Sequence, residues 1–233
     1  VVAVSPYVTS HLQRYMFYRG PRLVIPNGMP AALFERTRLD RAPARDGITY
    51  AATLVGWSGR KNSEALIEAF AQTAQRYPAA RLLLFGAGHG AGEPGERWAR
   101  ERGRSKGIEF VGQVGHGELL DRLAAEVDVL VHPALEEAQP MALIEAMALG
   151  IPVIAGQSSG GVPWTLDEGR AVLLVDVTNP AEIARAMLGL AEDAQEREAW
   201  GAKGYRFAQQ RFHIAAVADA WQAQYEELEA SGR

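Results

Sequence analysis

Short apolar runs alternate with amphipathic segments through most of this 233-residue chain. The runs consist largely of Val, Ile, Leu and Ala and lack the polar alternate positions of a strand that faces water, which is typical of parallel strands covered on both faces. The strict alternation of such runs with helical patterns predicts an α/β fold built on a doubly wound parallel sheet. The predicted strands are residues 48–55, 80–85, 108–111, 127–132, 152–155 and 171–175.

The predicted helices between these strands are residues 63–77, 95–103, 118–125, 140–149 and 180–191. The two ends of the chain follow a different pattern. A Ser-Pro start predicts a helix over residues 5–19, and the turn Ile25-Pro26-Asn27-Gly28 follows it. The tail predicts two helices, residues 196–210 and 214–230, with no strand between them.

Composition limits the classes of function. The net charge of −4 comes without a clustered basic face, so no nucleic-acid partner is expected. The absence of cysteine excludes a disulfide framework and fits a reducing, cytoplasmic location. No apolar run approaches the roughly 20 residues that span a bilayer. The start lacks both an initiator Met and a signal-peptide pattern, so we expect a fragment of a longer chain.

The sequence after the fourth predicted strand has the clearest local anatomy. Pro140 suits the first position of a helix, and Gly150 suits its end before the next strand. This helix would then begin at the carboxyl edge of the sheet, where open α/β folds bind ligands. Free N–H groups at its start would favour an anion such as phosphate. These N–H groups belong to Met141, Ala142 and Leu143.

Two acids in this segment are candidate ligand-binding residues. Glu145 lies in an otherwise apolar helix, where a carboxylate is costly without hydrogen-bond donors, and the diol of a ribose would supply two. Glu137 precedes the helix at the same rim and would reach another part of the same ligand. Taken alone, the pair favours the simpler interpretation, in which Glu145 is a carboxylate bonded within the fold and Glu137 is a solvated loop acid.

The segment resembles the E-x7-E region of the large retaining glycosyltransferase family of group 1 type, which has the two-Rossmann-domain GT-B architecture. The resemblance extends from about residue 23 to the end of the chain. Its central motif is Glu137-Ala138-Gln139-Pro140, then Glu145-Ala146-Met147-Ala148, Gly150 and Pro152-Val153-Ile154-Ala155. Its flanking motifs are Ile25-Pro26-Asn27-Gly28, Lys61-Asn62, Phe85-Gly86-Ala87-Gly88, Phe110-Val111-Gly112-Gln113-Val114 and Gly160-Gly161-Val162-Pro163.

The resemblance implies a site for a nucleotide-sugar donor, a UDP-, GDP- or ADP-sugar. Lys61 would pair with the diphosphate and Glu137 would lie beside the transferred hexose, which makes these two the catalytic candidates. Glu145 would accept from the ribose hydroxyls. The remaining donor-binding candidates are the main-chain amides of Gln139, Met141, Ala142 and Leu143, the turn at Gly86, and the base-pocket positions Gly112 and Val114. No cofactor or metal is implied, because cations and the helix N-terminus carry the leaving-group charge.

The sequence departs from the family pattern near the diphosphate. Trp57 stands where the family usually has an Arg, and Arg60 is the candidate substitute. Ala138-Gln139 replace the usual Gly-Phe, and Trp164 replaces a usual Glu. The histidines His89, His116 and His132 are each isolated in the sequence, which predicts structural or solvated roles.

The resemblance divides the chain into three predicted parts: residues 1–22 as a remnant of an N-terminal acceptor domain and its linker, 23–212 as the Rossmann-like donor domain, and 213–233 as a crossover helix. The acceptor, a glycan, lipid or small molecule, would be bound by the missing domain, which would also mediate any peripheral membrane association. Two alternatives remain open: a catalytically idle binding or regulatory module on the same fold, and a sugar-nucleotide epimerase or hydrolase.

Overall fold

The computed structural model describes residues 1–37, 39 and 47–230. The strands are β1 Val2–Ala3, β2 Leu23–Val24, β3 Thr49–Thr53, β4 Arg81–Phe85, β5 Ile108–Gly112, β6 Val129–His132, β7 Val153–Gly156 and β8 Leu173–Val175. Six of them form a central parallel sheet in the order β5-β4-β3-β6-β7-β8, and β1 pairs with β2 in a separate parallel ribbon. The predicted doubly wound α/β fold is confirmed, and each central strand begins and ends within two residues of its predicted bounds.

The helices are α1 Pro6–Tyr15, α2 Ala31–Phe34, α3 Ser63–Arg76, α4 Pro94–Glu101, α5 His116–Glu126, α6 Met141–Ala148, α7 Val162–Thr165, α8 Pro180–Glu192, α9 Ala194–Phe212 and α10 Ile214–Ala230. The first helix is shorter than predicted, because Phe17 adopts a left-handed conformation (φ 52°) just past its end. The two tail helices are confirmed, and only His213 separates them. Among the described residues no helix is long and apolar enough to cross a membrane.

The alternation of side chains along each strand builds a core on both faces of the sheet. In β3, Tyr50 and Ala52 enter a core with α3 and α8, whereas Ala51 enters a core with α6 and α9. All three are fully buried, so the strand has no polar face. This two-sided burial is why the strands lack the polar alternation of a solvent-facing sheet.

The strand order places a crevice between β3 and β6. From this point the chain winds outward in both directions, to β4 and β5 on one side and to β7 and β8 on the other. Open α/β sheets bind ligands at the carboxyl ends of such a pair of strands. The loops after β3 and β6 are therefore the ones that position a site.

Candidate functional site

The loop after β3 is fixed to its neighbours by Asn62. This residue adopts a left-handed conformation (φ 54°), and its side-chain amide donates to the carbonyls of Pro133 (3.1 Å) and Val177 (2.8 Å). The main-chain N–H of Leu135 also donates to the carbonyl of Arg60 at 2.9 Å. These bonds hold the loops after β3 and β6 side by side, with Lys61 between them.

Lys61 and Glu137 meet at this junction. Lys61 Nζ donates to Glu137 Oε1 at 2.6 Å, and only 15% and 19% of the two side chains are exposed. His132 Nε2 lies 3.4 Å from the same oxygen. Burial alone would raise the pKa of Glu137, but the interactions with His132 and Lys61 outweigh it and lower that pKa to about 2. The carboxylate is thus ionised at neutral pH.

His132 is a residue of this site that sequence reasoning missed. It ends β6, a strand that is otherwise entirely apolar, and it is 3% exposed. Neither ring nitrogen has a hydrogen-bond partner among the described residues. A lone polar residue at the carboxyl end of a fully buried strand is the signal that could have identified it.

The loop between Glu137 and the start of α6 is held from two sides. The N–H of Gly161 donates to the carbonyl of Glu137 at 2.7 Å, and the hydroxyl of Ser5 donates to the carbonyl of Ala138 at 2.6 Å. A Cβ atom at Gly161 would lie 2.0 Å from the oxygen of Ala138, so only glycine permits this approach. The Gly-Gly motif therefore acts on the conformation of the acidic loop.

The N-terminus of α6 differs in detail from the prediction. Pro140 is the N-cap residue (ψ 105°), and the helix begins at Met141 rather than at the proline. The N–H of Leu143 donates to the carbonyl of Pro140 at 3.2 Å, so the prediction that this N–H is free is wrong. A tight first turn satisfies it. The N–H groups of Met141 and Ala142 have no partner among the described residues.

The side chain of Gln139 is buried (8% exposed) and faces the turn at residues 25–28. Its Oε1 accepts from the N–H of Asn27 at 2.8 Å, and its Nε2 has no partner among the described residues. Gln139 therefore connects the Pro-Asn-Gly turn to the acidic loop. This explains structurally why a polar residue is accommodated where the family usually has Phe.

Glu145 has a partner that sequence reasoning did not foresee. Its Oε1 lies 2.8 Å from Nε2 of His116, the first residue of α5. The two side chains differ in exposure, 12% for Glu145 and 67% for His116. Because Glu145 follows Met141 by four residues, its side chain lies on the same face of α6 as that of Met141, the first residue of the helix.

Gly86 and Gly112 lie at the carboxyl ends of the neighbouring strands β4 and β5. The N–H of Gly86 donates to the carbonyl of Gly112 at 2.7 Å. Gly86 has a φ of 106°, and a Cβ there would lie 1.9 Å from the oxygen of Leu54, which excludes any other residue. Val114 follows on the path from β5 to α5 and packs, partly buried, on the core beneath α6. The predicted turn and base-pocket positions thus lie along one edge of the sheet.

The side chains of Arg60 and Trp57 lie in surroundings that differ from those of the Lys61–Glu137 pair. The ring of Trp57 packs 5.6 Å from that of His89 and 5.9 Å from that of Trp98, which is a packing role. Arg60 is exposed and lines an open cavity of roughly 670 Å³. The same cavity contains Glu136, which accepts a hydrogen bond from Tyr7 and thereby raises the pKa of Tyr7 to about 12.

Within the described residues, no three His, Asp or Glu side chains come together as a group that could hold a metal ion. Lys61 brings a positive charge to the loop after β6, and Arg60 brings one to the neighbouring cavity. The arrangement can therefore bind an anion through Lys61 and two free main-chain N–H groups, and hydroxyl groups through two carboxylates.

The chain belongs to the family described as glycosyl transferases group 1, whose pattern matches residues 49–207. Its fold is that of GT-B glycosyltransferases. It is 32% identical to a D-inositol 3-phosphate glycosyltransferase from Corynebacterium jeikeium over 207 residues, which cover 83% of this chain and 49% of that protein. The chain thus spans about half the length of this relative.

Two solved structures show the same fold over nearly the whole chain. Sucrose-phosphate synthase from Thermosynechococcus elongatus superposes with a TM-score of 0.79 at 27% identity, covering 99% of this chain and 58% of that one. HepE from Anabaena, in complex with UDP and glucose, superposes with a TM-score of 0.78 at 21% identity, covering 98% and 63%. In both pairs the match leaves more than a third of the other protein without a counterpart here.

Proposed function

We propose that this chain binds the nucleotide-sugar donor of a retaining, metal-independent hexosyltransferase. The observation that carries the proposal is the Lys61–Glu137 pair at 2.6 Å, placed at the switch point of the sheet and directly before the N-terminus of α6. The support is that a cation bonds to the loop after β6, and that this loop leads into the helix N-terminus, where the N–H groups of Met141 and Ala142 have no partner among the described residues. Such a crevice suits the diphosphate of a UDP-, GDP- or ADP-sugar.

Each residue of the site binds a different part of the donor. Lys61 neutralises the charge that develops on the diphosphate as the bond between the anomeric carbon and the phosphate oxygen breaks. The N–H groups of Met141 and Ala142 support the same charge. Glu137, held ionised, accepts from hydroxyls of the transferred sugar, and Glu145 accepts from the ribose diol. The base lies beyond Glu145, along Gly112 and Val114.

We infer that the acceptor, a glycan, lipid or small molecule, is bound by a further domain N-terminal to these residues. The support is that the curated relative is about twice as long as its match to this chain. Residues 1–22, 23–212 and 213–233 then act as linker, donor domain and crossover helix. The protein is expected in the cytoplasm, with the acceptor domain mediating any contact with the membrane surface.

A catalytically idle binding or regulatory module on the same fold is the second candidate. It is favoured by Trp57, which packs against His89 and Trp98 where the resemblance expects an arginine for the diphosphate. In this candidate the donor crevice is retained, but the leaving group receives too little positive charge for transfer.

The experiment that tests these candidates is calorimetry of the chain with UDP, GDP, ADP and their sugars. Binding of one nucleotide and its sugar supports the first candidate, and binding of none contradicts it. Transfer to a panel of acceptors is then measured with this chain alone and with the full-length protein. We expect transfer only by the latter, because positioning donor and acceptor together in a dry cleft is worth several kcal/mol, roughly 7–11, of the barrier. Donor binding without transfer by the full-length protein supports the idle module.

A further inference from the structure

His132 is buried beside the acid of the proposed site. It is 3% exposed, and both ring nitrogens lack a hydrogen-bond partner among the described residues. Most buried polar side chains are hydrogen-bonded, because an unmet donor or acceptor loses its contacts with water. Among the described residues, the one acidic group paired with its ring is the carboxylate of Glu137, whose Oε1 lies 3.4 Å from Nε2.

The geometry shows which ring nitrogen faces the acid. The 3.4 Å contact joins Nε2 to Oε1 of Glu137, the same oxygen that accepts from Lys61. A well-formed N–H···O bond is about 2.9 Å long, so a small rotation of the carboxylate closes this contact. Nδ1 has no competing acceptor among the described residues. A neutral imidazole therefore gains most by carrying its proton on Nε2.

The backbone around His132 keeps the ring in place. His132 pairs in the sheet with Ala155 of β7, and the next carbonyl, that of Pro133, accepts from Asn62. The ring therefore extends from a rigid strand end, whereas Glu137 lies on a loop. A ring fixed in this way can orient a loop carboxylate, and not the reverse.

We propose that His132 is the positioning residue of Glu137: its Nε2–H fixes one carboxylate oxygen and leaves the other free for a hydroxyl of the transferred sugar. The proposal rests on the function proposed above. It extends that function by making the orientation of the sugar-binding acid depend on a histidine that does not itself contact the donor.

The test uses amide side chains of two lengths. The amide nitrogen of Gln reaches the position of Nε2, and that of Asn reaches the position of Nδ1. We therefore expect His132→Gln to preserve the contact with Glu137, and His132→Asn and His132→Leu to lose it. A role in packing alone predicts a different order, in which the apolar Leu variant is tolerated best.

The direct readout is the carboxyl titration of Glu137, followed by NMR with 13C-labelled glutamate and assigned by means of Glu137→Gln. In the wild type and His132→Gln we expect Glu137 to stay ionised at lower pH than in His132→Asn and His132→Leu. His89→Gln is the matched control, since His89 is also fully buried but bonds to Ser63 at 2.8 Å. It should leave the Glu137 titration unchanged. The same titration in the wild type, His132→Asn and His132→Leu would overturn the proposal.

The functional readout is the ratio of two affinities, that for the nucleotide sugar and that for the nucleoside diphosphate. We expect His132→Asn and His132→Leu to lower this ratio several-fold, and His132→Gln to restore it. Equal ratios in all four proteins overturn the proposal even if the titrations differ. If no nucleotide binds to any of them, the proposed function fails, while the NMR titration still decides whether His132 acts on Glu137.

Discussion

The two acids of the E-x7-E segment have contrasting surroundings. Glu137, before α6, contacts Lys61 and the buried His132, and its main-chain carbonyl accepts from Gly161. Glu145, inside α6, has among the described residues one polar side-chain contact, with the largely exposed His116. Glu137 is therefore held by partners that the fold fixes, whereas the partner of Glu145 is one that water or a ligand can replace.

The difference separates two requirements of a binding site. A charge whose partners are fixed in advance needs no reorganisation when the ligand arrives, which suits the group beside reacting atoms. A charge with a weakly held partner can exchange that partner for a ligand hydroxyl at small cost. The comparison therefore predicts that changes around Glu137 affect stability as well as binding, and that changes around Glu145 affect binding alone.

The largest expected effect is on diphosphate binding in Lys61→Ala. Loss of a charge-assisted contact should weaken binding of the cognate nucleoside diphosphate by about 1.5–3 kcal/mol, or roughly 10- to 150-fold, and leave the nucleoside nearly unaffected. Calorimetry with the two ligands measures this. Arg81→Ala is the matched control, because Arg81 begins β4 at the opposite edge of the sheet and bonds there to Glu109 at 3.1 Å. Equal losses for diphosphate and nucleoside would contradict the assignment of Lys61.

The next largest effect is on the free energy of unfolding, which we expect Glu137→Gln to lower more than Glu145→Gln does. Removing the charge at Glu137 leaves the partly buried Lys61 without its counter-ion, which should cost about 1–3 kcal/mol in the free energy of unfolding. The same change at Glu145 should cost less than about 0.5 kcal/mol, because its partner is exposed. Urea unfolding at pH 7 provides both values. A larger loss at Glu145 would reverse the comparison.

The pH dependence of unfolding sharpens the same contrast. The pKa of Glu137 is lowered to about 2 in the folded chain, against about 4.3 for an unfolded glutamate. Its contribution to stability is therefore fully present above the unfolded value and is lost as the pH falls through the folded value. The stability gap between wild type and Glu137→Gln should be constant from pH 7 to about pH 5 and shrink below about 4.3. A gap that widens on acidification would contradict the sign of this shift.

A smaller effect than that of Lys61→Ala is expected on the affinity for the ribose part of the ligand. Glu145→Gln should weaken the cognate ribonucleotide by about 1–1.5 kcal/mol and spare its 2′,3′-dideoxy analogue, because only the former offers hydroxyl donors to the carboxylate. The dideoxy analogue is the internal control. If the affinities for the two ligands fall alike, Glu145 has a structural role, which it performs through its bond to His116.

The strand and helix pattern was predictable from the sequence because burial on both faces leaves a clear apolar signature. The neighbourhood of Lys61 and Glu137 could be anticipated only through the family resemblance, since 76 residues separate them. The contact of His116 with Glu145 could not be predicted, because it depends on which loops the sheet order brings together. That of His132 with Glu137 could not be predicted either, because it depends on the conformation of the loop after β6. Pro140 was assigned one position too far into its helix, because proline suits both the N-cap and the first turn.

The smallest effect is expected in His116→Ala, and it decides what the exposed partner of Glu145 does. If His116 only satisfies the carboxylate in the empty site, the ligand displaces it on binding, and its removal should change ribonucleotide affinity by less than about 0.5 kcal/mol. Affinity should then be unchanged or slightly increased, because the ligand no longer competes with the imidazole. Calorimetry of wild type and His116→Ala with the ribonucleotide and its dideoxy analogue measures the difference. A clear loss confined to the ribonucleotide would show instead that His116 remains with Glu145 and binds the ribose, and the contrast between a fixed and an exchangeable acid would no longer hold.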